Sequence, residues 1–320
     1  MKRRFFVTGA AALPFAAAAR AEAAGGGVWT KLAGRPDGGL PVMILPAATA
    51  GPNPAIIFSH GLSGRAEAFA ALAAPWAAAG FVVLLPEHLD SLARGAPRSP
   101  NLSELKRYAL ARIDDIRAML AALPELAAAA RAEIVPGAVG LGGHSFGAWT
   151  SAVIAGAKVY MEAGRGRSFA DPRPRAFLLL AGPPVPPGAN PMHPFQGMSD
   201  GSFAEITRPL MLIEGTRDDA PPGGDDSYRE RLAVYALSPP GNKYLAIEKN
   251  GTHMTTVGLA PASDAGLVAI AERARRDLSI LSVPFWRGFV SGDQQSVAWL
   301  NGPQPFAIDP DYLTFERRLG

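Results

Sequence analysis

A serine flanked by glycines is the strongest chemical signal in this chain of 320 residues. Gly143, Ser145 and Gly147 form the pattern G-x-S-x-G, which lies between an apolar run at residues 138–141 and a helix-period segment at residues 146–162. Between a strand and a helix, this pattern is typical of a sharp turn that presents a nucleophilic hydroxyl. Small residues are needed on both sides of that turn because larger side chains would collide. The pattern therefore predicts Ser145 as a nucleophile.

Residues that could activate a serine follow in the second half of the chain. Asp218 stands in the turn after an apolar run at residues 209–213, and His253 stands in the turn after another run at residues 243–247. A serine hydroxyl is too weak an acid to attack unaided, so a histidine must take its proton and a carboxylate must orient that histidine. We predict His253 as the base and Asp218 as the orienting acid, with Asp219 as the alternative acid.

A fourth element precedes these three residues in the chain. Residues 58–64, with the sequence FSHGLSG, follow an apolar run at residues 55–58. A tetrahedral intermediate needs two preorganised N–H donors, which together form an oxyanion hole. We predict that the backbone N–H groups of Leu62 and Phe146 are these donors.

An alternation of strands and helices must position these residues. Short apolar runs predict strands that are buried on both faces at residues 41–45, 55–58, 81–85, 138–141, 176–180, 209–213 and 243–247. Helix-period segments lie between them at residues 66–79, 102–123, 146–162, 227–237 and 264–281. This order predicts an α/β fold with a mostly parallel central sheet and helices on both faces. Ligands of such sheets bind at the carboxyl ends of the strands, where the candidate residues stand.

Together these motifs resemble the α/β-hydrolase superfamily, in which serine, acid and histidine follow one another in this chain order. Three segments are similar to the bacterial group of predicted dienelactone hydrolases and platelet-activating-factor acetylhydrolase-like proteins: FSHGLSG at residues 58–64, GHSFG at 143–147 and KYLAIEKNGTHM at 243–254. The resemblance covers about residues 41–300. It implies an α/β-hydrolase fold and a serine esterase with an open pocket.

Two departures from that group limit what the resemblance implies. Dienelactone hydrolases use a cysteine nucleophile, and this chain contains no cysteine, so their substrate is not carried over. The second glycine that usually follows the turn is Ala148 here, which we expect to affect only the packing of the helix.

The residues predicted to line the substrate pocket come from two segments. His88 lies in the turn after the apolar run at residues 81–85, and Met192 and Phe195 lie in an apolar segment at residues 183–203. Flexible apolar side chains suit an acyl or aromatic group. A surface loop packed on the body of the protein is an equal alternative for this second segment.

Other ionisable residues near the motifs are predicted to be structural. His60 and His144 belong to the two glycine-rich motifs, and we expect each to pack beside its motif. Arg112 and Asp115 stand three residues apart on the second helix and are predicted to form an ordinary intrahelical ion pair.

The first 23 residues have the pattern of an export signal. The basic residues 2–4 include a pair of arginines, and an alanine-rich apolar stretch with small residues at its end follows them. Paired arginines before a weakly apolar stretch resemble a twin-arginine signal. The stretch is short and is interrupted by Pro14, which argues against a membrane anchor. We predict cleavage after Ala21 or Ala23 and a periplasmic or secreted location.

The remaining residues, 24–320, are predicted to form one domain. The chain has 31 basic and 28 acidic residues, and four of the basic residues belong to the signal, so the mature chain is close to neutral. It contains no tract rich in lysine and arginine, so we expect no nucleic-acid partner. No later apolar run is long enough for a transmembrane helix. The sequence does not indicate the oligomeric state.

The predicted function is an exported serine carboxylic-ester hydrolase that forms an acyl-enzyme on Ser145. Its substrate is a small-molecule ester, and neither a cofactor nor a metal is expected. A polyester hydrolase of the cutinase type and a peptidase are alternatives with the same three catalytic residues, although such a peptidase usually carries an additional gating domain. A noncatalytic binder of the same fold is a further alternative, and such binders typically lack one of the three residues. A dehalogenase would need aspartate in place of Ser145.

Overall fold

The part of the chain that the structure describes is built around one sheet. The computed structural model describes residues 27–35, 38–160, 166–185, 188, 197–218 and 227–320. Their strands are β1 (Val28–Leu32), β2 (Leu40–Leu45), β3 (Pro52–Ser59), β4 (Val82–Pro86), β5 (Glu133–His144), β6 (Ala176–Leu180), β7 (Leu210–Gly215), β8 (Lys243–Glu248) and β9 (Leu313–Arg318). Their α-helices are α1 (Ala70–Ala78), α2 (Leu102–Ala121), α3 (Leu123–Ala129), α4 (Phe146–Ala155), α5 (Ser227–Glu230), α6 (Ala233–Leu237), α7 (Ala265–Trp286) and α8 (Gln294–Asn301). The predicted export signal lies outside the described residues.

The order of the strands places two of them at the centre of the candidate site. The strands lie side by side in the order β1-β2-β4-β3-β5-β6-β7-β8-β9. The strands from β4 to β8 in this order are paired in parallel, whereas β1, β2 and β9 pair antiparallel at the two edges. The direction of chain progression reverses beside β3, so β3 and β5 end at the switch point where ligands of open α/β sheets bind. The sheet is mostly parallel, as predicted.

Apolar layers cover both faces of the sheet. Ile57 of β3 belongs to the layer that packs against α2, α3, α4 and α6, and its neighbours Ile56 and Phe58 belong to the layer under α1, α7 and α8. In the second layer, the ring centroid of Phe58 lies 5.3 Å from that of Trp76 on α1. Strands that are buried on both faces, such as β3, have continuous apolar sequences, and this is why the sequence pattern predicted them.

The differences from the predicted elements are two helices that were not predicted, α3 and α8, and changes at edges and ends. The seven predicted strands correspond to β2–β8, but β1 and β9 were not predicted. β9 alternates between buried Leu313 and Phe315 and exposed residues between and after them, as edge strands with one solvated face do. The predicted helix at residues 146–162 ends at Ala155, because Gly156 leaves the helical conformation with a φ of 131°. Within the described ranges, no helix is long and apolar enough to cross a membrane.

Candidate active site

Ser145 occupies a strained turn between β5 and α4. Its backbone has φ 55° and ψ −113°, a conformation that residues other than glycine rarely adopt. Such strain persists only where the surrounding structure enforces it. A Cβ added to Gly143 would collide with the backbone of Gly147, and one added to Gly147 would collide with the carbonyl of Ser59. The glycines therefore let the turn approach β3 closely, and Ser145 stays partly exposed while both of its chain neighbours are buried.

The structure brings Asp218 and His253 together. Nδ1 of His253 lies 2.7 Å from Oδ2 of Asp218, so in the neutral ring Nδ1 carries the proton and Nε2 carries the lone pair that a base needs. The two turns that carry these residues are joined, because the Arg217 N–H donates to the Gly251 carbonyl at 2.8 Å and a Cβ on Gly215 would collide with Gly251. The side chain of His253 is 20% exposed and that of Asp218 is 0% exposed. The histidine thus reaches solvent and its carboxylate partner does not.

Charges around Asp218 keep its carboxyl group ionised. Burial opposes ionisation, but the hydrogen bond from His253 and the nearby Arg231, whose Nε lies 3.1 Å from Oδ1, lower the pKa of Asp218 to about 2. Burial, together with the charge of Asp218, raises the pKa of Glu214 well above its ordinary value. Glu214 therefore favours its protonated form more strongly than an ordinary glutamate does, and it shares a hydrogen bond with Asp218. Asp219, the alternative acid, lies outside the described residues.

His144 fixes the main chain of His253. Nε2 of His144 lies 2.8 Å from the His253 carbonyl, and the two ring centroids are 4.7 Å apart. Burial and the neighbouring His253 lower the pKa of His144 to about 3, so the neutral ring donates its Nε2–H to that carbonyl. This is the structural role predicted for His144. Because His144 directly precedes Ser145, the contact places His253 beside the turn.

The hydroxyl of Ser145 does not form a hydrogen bond with His253 among the described residues. Catalytic hydrogen bonds of this kind are often long without a substrate and tighten when one binds. The structure therefore assembles the acid–histidine half of the predicted triad and brings the serine next to it.

The two predicted oxyanion donors lie next to Ser145 on different elements. The loop after β3 approaches the turn so closely that a Cβ added to Gly61 would lie 3.3 Å from the Cβ of Ser145. Leu62 follows in that loop and is partly exposed. Phe146 is the first residue of α4, where a helix leaves its N–H groups without intrahelical acceptors. Leu62 thus directly follows a residue that contacts the Ser145 turn, and Phe146 directly follows Ser145 in the chain.

The prediction that His88 lines a substrate pocket is wrong. Its side chain is fully buried, with Nε2 3.0 Å from the Ser59 hydroxyl and Nδ1 2.8 Å from Oδ2 of Asp115. These three residues have the connectivity of a catalytic triad, but all of them are buried, so a substrate cannot reach them. The other predicted pocket residues, Met192 and Phe195, lie outside the described residues.

The predicted intrahelical ion pair is also wrong. Arg112 is fully buried and pairs with Asp90, with Nε–Oδ1 and Nη2–Oδ2 distances of 2.8 Å each. Asp115 pairs with Arg35 at 2.8 Å. Both residues of α2 lie on its buried face, so their partners come from other elements. The sequence did contain a signal: Arg112 stands four residues after the buried Tyr108, on the apolar stripe of the helix, where a charged side chain needs a buried partner.

Buried carboxyl groups at the ends of β7 and β8 were missed as well. Glu214 is the penultimate residue of the run LMLIEG and Glu248 is the last residue of KYLAIE, and both are fully buried. An ionisable residue that continues a buried strand is the signal that could have identified them. They lie directly before the turns that carry Asp218 and His253.

Glu248 should make the stability of the protein fall as pH rises. Neither of its carboxyl oxygens has a hydrogen-bond partner among the described residues, and burial, with the nearby Asp277, raises its pKa well above the ordinary value. The folded state keeps a proton that the unfolded chain releases above about pH 4.3, so stability is lost from there up to the folded pKa. We expect the melting temperature of Glu248→Gln to exceed that of wild type by about 2–4 °C at pH 8, with no gain near pH 4.

Thermal melts across this pH range test the expectation. Glu316 is exposed on the neighbouring strand β9, so Glu316→Gln is the matched control and should show no pH-dependent gain. A Glu248→Gln variant that melts below wild type at pH 8 would contradict the argument.

One known family matches part of the chain. Residues 45–98 match the model of the family described as platelet-activating factor acetylhydrolase, isoform II. This range contains β3, β4 and the loop with Leu62. A search of curated proteins found no match.

Solved structures resemble most of the chain. The ferulic acid esterase of Streptomyces cinnamoneus superposes with a TM-score of 0.60 at 16% identity, over 91% of this chain and 96% of its own. Esterase 2 of Thermogutta terrifontis, in a structure phosphorylated by paraoxon, gives a TM-score of 0.54 at 13% identity over 82% and 94%. TT1662 of Thermus thermophilus gives 0.52 at 21% identity over 81% and 98%. The chain has the α/β-hydrolase fold, as predicted.

Proposed function

We propose that the protein is a serine carboxylic-ester hydrolase that forms an acyl-enzyme on Ser145. The observation that carries the proposal is the 2.7 Å hydrogen bond between His253 and Asp218, beside a serine held at positive φ where β5 ends. A histidine oriented by a buried carboxylate, next to a serine on a strained turn, is the arrangement that nucleophilic acyl transfer requires.

The proposed reaction has two halves. The Ser145 oxygen attacks the ester carbonyl carbon while Nε2 of His253 takes the hydroxyl proton, and Asp218 stabilises the imidazolium. The carbonyl oxygen becomes an oxyanion that accepts hydrogen bonds from the N–H groups of Leu62 and Phe146. Collapse of this intermediate expels the alcohol, which receives the proton from His253, and leaves the acyl group on Ser145. Water then attacks the acyl-enzyme with the same base, which releases the carboxylic acid and restores the serine.

The comparisons support an ester as the substrate class. Two of the structures that share the fold are named as esterases, and one of them is phosphorylated by paraoxon. The family model that covers the Leu62 loop is named for an acetylhydrolase. A small-molecule ester is therefore the substrate that we propose, and no cofactor enters the steps above.

Ester turnover and covalent labelling test this function together. Wild type should hydrolyse p-nitrophenyl esters in a series from acetate to octanoate and longer. Paraoxon should stop this turnover and add one diethylphosphoryl group, which peptide mapping should place on the peptide that contains Ser145. A folded sample that hydrolyses none of the esters and takes up no phosphoryl group would overturn the proposal.

We further propose that residues 1–23 direct export through a twin-arginine-type signal and leave residues 24–320 as one mature domain. The basic start, the apolar alanine-rich stretch and the small residues at Ala21 and Ala23 support this. The intact mass of periplasmic protein should lack residues 1–21 or 1–23, and an Arg3→Lys/Arg4→Lys variant should stay in the cytoplasm. Periplasmic protein that still carries Met1 would contradict cleavage.

A further inference from the structure

A buried arginine lies beneath the loop that carries Leu62. Arg112 of α2 is 0% exposed, and its Nη1 donates to the His60 carbonyl at 2.8 Å while its Nη2 donates to the Gly61 carbonyl at 3.0 Å. Its Nε and Nη2 also pair with the two oxygens of Asp90, at 2.8 Å each. The loop after β3 is therefore bound by a buried cation whose charge Asp90 balances, and Oδ2 of Asp90 also accepts the Ser63 N–H of this loop at 3.3 Å.

The Gly61 carbonyl accepts three hydrogen bonds. Its donors are Nη2 of Arg112 at 3.0 Å, the N–H of Gly64 at 3.0 Å and Nδ1 of His60 at 2.6 Å. The His88 N–H donates to Nε2 of His60 at 3.1 Å, so Nε2 is the unprotonated nitrogen and Nδ1 carries the proton. Nη2 of Arg112 lies 3.1 Å from Nδ1, but both groups are donors in this form, so the contact is not a hydrogen bond. Burial lowers the pKa of His60 well below its ordinary value, which keeps the ring in this neutral form. Three donors, one of them cationic, thus converge on one peptide oxygen.

The orientation of this peptide sets the direction of the Leu62 N–H. In a trans peptide the C=O and the N–H of one unit point in opposite directions. Because the Gly61 oxygen faces Arg112, the Leu62 N–H faces away from the guanidinium, and it has no acceptor among the described residues. A charged donor on the carbonyl also polarises the unit and strengthens the N–H as a donor.

We propose that Arg112 is a positioning residue for the oxyanion hole, which orients and polarises the Gly61–Leu62 peptide so that the Leu62 N–H can stabilise the oxyanion formed at Ser145. The proposal rests on the proposed ester hydrolysis. The second oxyanion donor adjoins the same cation, because the guanidinium carbon of Arg112 lies 4.6 Å from the ring centroid of Phe146. The buried side chain of Arg112 therefore contacts the loop that carries Leu62 and also the ring of Phe146, the two residues that are expected to supply the N–H groups.

Arg112→Lys tests this role, because an ammonium cannot reproduce the planar fork that reaches two carbonyls and Asp90 at once. We expect kcat for p-nitrophenyl acetate to fall about 10–100-fold, while KM changes by less than about threefold, since the affected donor acts mainly on the transition state. Affinity for a trifluoromethyl ketone, which forms an oxyanionic adduct with a catalytic serine, should fall by a similar factor. The pH at which kcat/KM is half-maximal should not move, because the Asp218–His253 pair is untouched.

Two control variants separate this role from general stability. Arg208 also donates to main-chain carbonyls, those of Ile154 and Ala155, and lies 4.7 Å from the ring centroid of Phe177, but it does so at the opposite end of α4 from Ser145. Arg208→Lys should keep the wild-type kcat. Asp90→Asn removes the charge that balances Arg112 but keeps a side-chain oxygen that can accept the Ser63 N–H, which Oδ2 of Asp90 accepts at 3.3 Å. This variant should therefore lower the melting temperature and keep kcat within about threefold.

An apolar replacement covers the case in which Arg112→Lys does not fold. Arg112→Met combined with Asp90→Leu removes the whole ion pair, a change that folded proteins often tolerate. This double variant should be folded and should show the same loss of kcat. Wild-type kcat in either Arg112 variant, or an equal loss in Asp90→Asn, would overturn the positioning role. An inactive wild type that also resists paraoxon would instead overturn the proposed function, and this inference would fall with it.

Discussion

Ser145→Ala should lower kcat for ester hydrolysis by about 10⁴-fold or more and leave the melting temperature within about 1 °C of wild type. The substitution removes the hydroxyl that the proposed mechanism acylates, and among the described residues it removes no hydrogen bond that holds the turn. Alanine at φ 55° carries the same steric strain as serine, so the conformational energy of the turn changes little. Kinetics on p-nitrophenyl acetate and thermal melts of the same samples measure the two quantities.

Ser145→Gly is the matched control for the strain at this turn. Glycine adopts positive φ without a steric cost, so this variant should be as inactive as Ser145→Ala but should melt about 2–4 °C higher. Neither variant should take up a phosphoryl group from paraoxon. Full activity in either variant would remove Ser145 from the mechanism, and a large fall in melting temperature would show that its hydroxyl supports the turn.

The parts of the site that the sequence predicts are those that follow recognisable strands. β5, β7 and β8 are buried on both faces, so each reads as an apolar run, and the next turn begins where the run ends. Ser145, Asp218 and His253 stand in these turns, and the structure places all three at one edge of the sheet. Local pattern and chain order were sufficient for this part.

The parts that the sequence does not predict depend on partners that are distant in the chain. Arg112 pairs with Asp90 and supports a loop 52 residues earlier in the chain, whereas the local sequence pattern predicted only Asp115, on the same helix, as its partner. His88 follows a strand as the candidate residues do, yet its ring turns inward to Ser59 and becomes buried. Nothing in the local pattern distinguishes a side chain that turns inward at a strand end from one that faces the cleft.

Two buried arginines support the two halves of the candidate site in similar ways. Arg231 lies 3.1 Å from Asp218, the hydrogen-bond partner of His253, and donates to the Gly182 carbonyl at 2.6 Å. Arg112 pairs with Asp90 and donates to carbonyls of the loop that carries the proposed oxyanion donor Leu62. Both are nearly inaccessible to solvent, so neither charge is screened by water as a surface charge would be. Charge in this site is therefore arranged before a substrate arrives, which is the condition for electrostatic stabilisation of a transition state.

Asp218→Asn should lower kcat by about 10⁴-fold while the fold is retained. The carboxylate accepts the Nδ1–H of His253 at 2.7 Å and would stabilise the imidazolium that forms during attack. An amide can turn its NH₂ group towards Nδ1, which would move the ring proton to Nε2 and leave no lone pair there to accept the serine proton. Kinetics with p-nitrophenyl acetate at pH 8 measure this loss.

The stability of Asp218→Asn relative to wild type should depend on pH with a defined sign. The folded protein holds the pKa of Asp218 at about 2, mainly through His253 and Arg231 acting against burial, whereas an unfolded aspartate titrates near about 3.9. The ionised carboxylate therefore contributes stability above about pH 4, and that contribution is lost as pH falls towards 2. The difference in melting temperature between wild type and Asp218→Asn should be largest at neutral pH and should narrow across this acidic window.

Two neighbouring carboxyl groups are the matched controls for the identity of the acid. Asp219→Asn should keep kcat within about threefold, because the His253 hydrogen bond is made by Asp218. Glu214→Gln should keep kcat within about tenfold, because a glutamine offers an N–H donor for the side-chain hydrogen bond with Asp218. The expected order of loss is Asp218→Asn, then Glu214→Gln, then Asp219→Asn. A greater loss in Asp219→Asn than in Asp218→Asn would transfer the orienting role to Asp219, since only the residue that fixes the histidine tautomer can cause the larger effect.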